Sequence, residues 1–210
     1  MTGLSGTGRV ADDLYLIAHD EVSGKPLVSS RAAGLGLAGG LLAELVLAGA
    51  VGVAGDWLVV TGRPPRGEAL AGAVLGVVAG ERAGLPVSDW LAYLGRTAVR
   101  DVAGRLAGAG YLAAVRGWRG PRWVPTDPDC AFASLARLRS ALSPSGPVSA
   151  GVVTAGLADA CGLGPRMASY LPQGHYRGLG PAVDLLDPGL RALVAHVRAA
   201  VDSAVLCHRI

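Results

Sequence analysis

The residues of this sequence best suited to chemistry are arginine and tryptophan, and the chemistry they suit is recognition. Arg96 and Arg100 are four apart, and Arg105 follows five residues later. A spacing of four sets two side chains on one helical face, and planar guanidinium forks grip phosphate oxygens in pairs. A solvated helix face would explain the same row. From 115 to 123, Arg116, Trp118, Arg119, Arg122 and Trp123 crowd a short segment around Gly120-Pro121. Tryptophan with arginine suits a membrane-interface anchor, a nucleic-acid wing or a subunit contact. The plain alternative is that one tryptophan lies back on the core.

Catalytic and metal-binding patterns do not emerge. His19, His175, His196 and His208 lie at no metal-ligand spacing and beside no arranged nucleophile. Cys130, Cys161 and Cys207 form no CxxC, so neither a disulfide framework nor a zinc site is indicated. Gly34-Leu-Gly36-Leu-Ala-Gly39 matches the dinucleotide fingerprint literally. That fingerprint needs a strand before it and a parallel sheet around it. Pro26 to Ser30 is a poor strand, so these glycines are read as sites of close helix packing. The expectation is a protein that is not an enzyme, with no metal and no cofactor.

The elements that must position the arginines are mostly helical. Leu35 to Val51 is apolar almost all round and contains one ionisable residue, Glu44. Such a helix has no face for water and is expected at the centre of the core, with Glu44 on an arginine or a backbone donor. The run from Ala32 to Ala54 has the length of a membrane span. Its Ala and Gly content and its central carboxylate argue against one.

Around it the sequence predicts a first helix over 10–18, with Asp12 and Asp13 opposite the apolar Val10, Leu14 and Ile17. A hairpin is expected over 51–60, turning at Ala54-Gly55-Asp56. A helix follows with Leu70, Val74 and Val77 on one side. A long helix is read from Ser88 to about Ala109, placing Arg96 and Arg100 together, with Gly110 beyond its end. A second hairpin spans 111–125, with Arg119-Gly120-Pro121 as its turn. Three further helices are read. One starts at Asp127-Pro128, with Phe132, Leu135, Leu138 and Leu142 inward. One covers 148–161, and one opens at Asp187-Pro188. The fold class is mainly α, a helical domain around a buried central helix with small β-hairpins. Residues 1–8 read as a flexible N-terminus, 9–206 as one domain and 207–210 as a tail.

Composition sets the outer bounds. Apolar residues make up 51% and charged ones 17%, enough for a large core. The net charge of +3 permits an anionic partner without demanding one. That modest charge argues against nucleic acid, whose phosphates call for a broader basic face. Lys25 is the only lysine, and the arginine, alanine and glycine content fits a GC-rich bacterial genome. The N-terminus shows no signal-peptide pattern, so a cytoplasmic protein is expected.

Four stretches in order carry a resemblance: LYLIAHDEVSGKPL, LAGGLLAELVLAGAV, VRDVAGRLAGAGYLAAVRGWRGPRWVPTDP and VSAGVVTAGLADACGL. Together the chain resembles the Golgi phosphoprotein 3 family, and its actinobacterial branch in particular. Its members are peripheral membrane proteins that bind phosphatidylinositol 4-phosphate. The positions of the family's lipid pocket fall on Ser29, Ala38, Arg96 and Val99, of which Arg96 keeps the family's residue. Arg31 and Arg100 are close enough in sequence to substitute for the others. The resemblance implies a non-enzymatic protein that recognises anionic, phosphoinositide-like headgroups through Arg96, Arg100 and Arg31. It also implies a protruding hairpin that meets membrane or a second subunit through Arg116, Trp118, Arg119, Arg122 and Trp123. Such a protein would be cytoplasmic and peripherally associated with the membrane. The partner is then an anionic membrane lipid, with a homo-oligomer through the hairpin as a further expectation. Two alternatives stay open: a helical adaptor acting through protein contacts of the 111–125 hairpin, and a winged-helix-like nucleic-acid binder.

Overall fold

The computed structural model describes residues 7–63, 67–81, 84–117, 120–143, 150–171, 177 and 179–207. Among these it is mainly α, with ten helices and two antiparallel two-stranded hairpins. The central element is α2, Ser30–Leu47, whose residues are buried from Ala32 through Ala43. The apolar pattern marks this helix but misplaces its ends. It starts at Ser30 because Ser29 caps it, its hydroxyl accepting from the Ala32 amide at 3.2 Å. It stops at Leu47 because Gly49 turns left-handed (φ +68°), and its amide donates to the Val46 carbonyl. Among the described residues α2 alone is long and apolar enough to cross a membrane, and 72% of it is buried against other elements.

Small residues on α2 let its neighbours approach closely, which is what GLGLAG encodes here. A Cβ on Gly36 would collide with the Cys161 sulfur. One on Gly39 would stand 2.5 Å from a Val197 methyl, and one on Gly40 would stand 2.9 Å from the Ala11 Cα. Three helices therefore close on one side of α2: α1 (Val10–Ala18), α7 (Ala150–Ala160) and α10 (Pro188–Cys207). Leu193, Val197 and Val201 of α10 are buried, as the sequence pattern predicts.

The first hairpin pairs β1 (Val51–Ala54) with β2 (Trp57–Val60), turning at Gly55-Asp56 as expected. Helix α3 is Ala69–Gly80, and its buried face is Ala71, Val74, Leu75 and Val78, so Val77 is exposed rather than inward. The long helix expected over 88–109 is two helices, α4 (Val87–Leu94) and α5 (Ala98–Gly108), separated by a break at Gly95–Thr97. β3 (Leu112–Gly117) and β4 (Gly120–Pro125) form the second hairpin. Its innermost pair is Gly117 with Gly120, so Gly120-Pro121 belongs to β4 instead of the turn. α6 is Asp129–Ala141, one residue later than expected: Pro128 is its N-cap and makes no side-chain cap, while the Asp127 carboxylate accepts from the Asp129 amide at 2.9 Å. Leu135, Leu138 and Leu142 point inward, but Phe132 is exposed and meets Tyr170 of α8 (Gly164–Tyr170) edge-on. α9 is the short helix Leu179–Asp184.

Helix α1 departs most from expectation. The sequence pattern puts Asp12 and Asp13 on a polar side, yet every residue of α1 is buried, both aspartates included. They are compensated by arginines from distant helices, a pairing that periodicity cannot reveal.

Candidate functional site

Two arginine clusters lie at the two ends of α5, and they have different surroundings. At the C-terminal end Arg105 is 10% exposed and turns inward. Its Nη1 and Nη2 bridge both Glu44 oxygens at 2.8 and 2.9 Å, and its Nε donates to Asp12 Oδ1 at 2.8 Å. Glu44 Oε1 also accepts from the Ala11 amide at 2.9 Å. The expected partner of Glu44 is thus an arginine and a backbone donor together. Burial raises the pKa of Asp12, while the positive charge of Arg105 opposes that rise. Burial lowers the pKa of Arg105, but its hydrogen bonds and charge contacts with Glu44 and Asp12 outweigh this and leave it raised. On the far side of α1, Arg137 of α6 binds Asp13, with Nε to Oδ2 at 2.9 Å, and the Ser134 hydroxyl donates to Asp13 at 3.1 Å. Arg9 pairs with Glu68. Arg105 is therefore structural, which corrects its reading as a third phosphate grip.

At the other end of α5, Arg31, Arg96 and Arg100 are all exposed. The backbones beside Arg31 and Arg96 approach through a contact between two glycines. A Cβ on Gly34 would collide with the carbonyl oxygen of Gly95. A Cβ on Gly95 would stand 2.7 Å from the Leu91 carbonyl and 3.3 Å from Gly34. The backbones of α2 and of the α4–α5 break therefore touch. Arg31 lies one turn before Gly34 on the same side of α2, and Arg96 directly follows Gly95. Among the described residues neither Arg31 nor Arg96 makes an ion pair. Arg100 is less free, because its Nε pairs with Asp101 at 3.2 Å.

The break changes the relation expected of Arg96 and Arg100. They do not share a face of one helix. Arg96 precedes the N-cap Thr97 and Arg100 sits in the first turn of α5, so they flank that helix's start. Thr97 makes no side-chain cap. First-turn amides and the helix dipole favour an anion here, as they do at the start of α2 beside Arg31. Of the other positions that the resemblance picks out, Ser29 caps α2, Ala38 is fully buried and Val99 packs partly on the core. No signal in the sequence reveals the Gly34–Gly95 contact, since each glycine reads locally as a packing or turn residue.

The second hairpin divides its residues between two faces. Register places Arg116, Trp123 and Ala114 on one face, and Ala113, Val115, Arg122 and Val124 on the other. Arg116, Arg122 and Val115 are exposed, whereas Trp123 is half-buried and packs against the core. Trp118 and Arg119 lie outside the described residues. The base of the hairpin is clamped by the 20–25 turn. Gly24, at φ +63°, lies so close that a Cβ there would collide with the Trp123 carbonyl. That turn is anchored by Glu21, bonded to Arg166 at 2.7 Å. The hydrogen bond from Arg166 holds the Glu21 carboxyl below its ordinary pKa.

Cys130 and Cys161 are free and buried, and burial pushes the Cys161 thiol up to about 12. Among the described residues no group of three or more His, Cys, Asp or Glu could hold a metal.

The described residues form a mainly helical fold with exposed arginines at two helix starts. A family model, Golgi phosphoprotein 3 (GPP34), matches residues 10–205, and the chain belongs to that family. The family is named for the Golgi, is not known as one of enzymes, and points to a role in binding lipid or protein. No curated protein matches the chain.

Proposed function

We propose that this protein is a non-enzymatic peripheral membrane protein, which recognises anionic, phosphoinositide-like lipid headgroups through Arg31, Arg96 and Arg100. The observation that carries this reading is the Gly34–Gly95 backbone contact, beside which stand two exposed arginines at two helix starts, neither in an ion pair among the described residues. Charge-assisted contacts to phosphate contribute roughly 1.5–3 kcal/mol each. Liposome co-sedimentation tests the site. Arg96→Ala should weaken binding to vesicles containing phosphatidylinositol 4-phosphate about tenfold or more, with the melting temperature kept. Arg31→Ala should act in the same direction, and Arg100→Ala less, since Asp101 already shares its charge. Unchanged binding in Arg96→Ala rules the site out.

The hairpin is the second contact in this reading, through Arg116 and Arg122 at its exposed strands. An adaptor role has one observation of its own: Val115 and Arg122 form an exposed, mixed apolar and basic face of the kind that subunit contacts use. Arg116→Glu with Arg122→Glu separates the two. Loss of vesicle binding supports the membrane contact. A changed sedimentation coefficient with vesicle binding intact supports the adaptor.

A further inference from the structure

Away from the arginine site, α7, α9 and α10 enclose a cleft of about 580 Å³. Its floor is apolar. Gly156 of α7 lies where Val183 of α9 and Val194 of α10 meet, and a Cβ added there would stand 3.2 Å from methyl groups of both valines. Leu179, Ala195 and Ala199 complete the apolar lining. The volume suits a small organic ligand, for which pockets of about 300–1,000 Å³ are usual.

Its charges select the class of ligand. Five charged residues line the cleft: Asp159, Asp184, Asp202, Arg191 and Arg198. Arg198 is neutralised by Asp159 at 2.6 Å. Arg191 donates from Nη1 to the backbone carbonyl of Asp184 at 2.9 Å, which ties the guanidinium to the cleft's own wall. Among the described residues the carboxylates of Asp184 and Asp202 have no ion-pair partner, and both are exposed. Arg191 keeps its charge on that carbonyl, so the three carboxylates and two guanidinium groups leave the lining one negative charge in excess, and an apolar floor under such an excess is complementary to an apolar body bearing a positive charge.

We infer that this cleft binds a small amphipathic cation, an alkyl- or arylammonium, with its hydrocarbon on Gly156, Val183 and Val194 and its charge toward Asp184 and Asp202. None of these residues belongs to the headgroup site, so the two proposals stand or fall separately.

Amide-resolved NMR titration with phenylbutylammonium tests the inference, with the isosteric anion phenylbutyrate as control. The ammonium should bind saturably and shift the amides of Gly156, Val183 and Val194. Asp184→Asn with Asp202→Asn should raise its dissociation constant at least about fivefold. Ala195→Trp, which fills the cleft from an exposed position, should abolish the shifts while the rest of the spectrum is kept. The inference fails if the ammonium leaves these amides unmoved at millimolar concentration, if phenylbutyrate binds as tightly, or if neither variant weakens binding.

Discussion

Arg100 and Arg105 stand five residues apart on one helix, yet one faces water and the other is held in the core. Arg105 has two carboxylates within 3 Å and is almost covered. Arg100 is 77% exposed and shares a single surface aspartate. In the interior an ion pair is strong but its partners cannot be removed singly, because the survivor is left charged without water. On the surface the same guanidinium contributes little to stability and stays accessible to a ligand. The difference teaches that the buried arginine holds α5 in position, while the exposed ones are supported by that position.

Arg105→Ala should break the frame and have the largest effect. It leaves Asp12 and Glu44 facing one another in the core, at a cost of about 3–5 kcal/mol, read as a lowered chemical-denaturation midpoint. A midpoint equal to the parent's would mean that the triad is not buried in solution. Gly34→Ala should come next. The added methyl meets the Gly95 carbonyl, and overpacking of this kind costs about 1–3 kcal/mol. It should also weaken vesicle binding by parting Arg31 from Arg96, although neither arginine is altered. If binding survives while stability falls, the two arginines act independently.

The pH profile sharpens the frame side of the comparison. His19 is buried, stacks on Tyr15 with ring centroids 4.0 Å apart, and donates from Nδ1 to the Tyr15 carbonyl at 2.8 Å. Burial lowers its pKa from 6.5. A group with a depressed folded value contributes stability above its unfolded pKa and loses it as pH falls through the folded one. Stability should therefore decline on acidification from pH 6.5, and His19→Gln should flatten that part of the profile. Asp12, raised by burial, works in the opposite direction: it gains stability as pH falls through its folded value toward 3.8. A profile of unchanged slope in His19→Gln would show that the ring is not buried neutral.

Arg100→Ala should have the smallest effect on stability, within about 0.5 kcal/mol, measured beside Arg105→Ala in the same denaturant series. A large loss there would erase the distinction between the two ends of α5.

The sequence by itself determined the elements that repeat a simple period or carry a turn signal. The apolar run around Glu44, the first hairpin at Gly55-Asp56 and the inward Leu193, Val197 and Val201 all follow from local chemistry. It also determined that the glycines of the GLGLAG stretch pack helices together. Tertiary structure alone decided which charges are inside. Asp12 and Asp13 are 93 and 124 residues from the arginines they bind, and no local pattern encodes a partner so distant. It likewise decided the break at Gly95, where the contact with Gly34 holds the backbone in place of a continuous helix. For the same reason residue spacing could not show that the start of α2 meets the α4–α5 break. The two backbones touch only because Gly34 and Gly95 have no side chains to keep them apart.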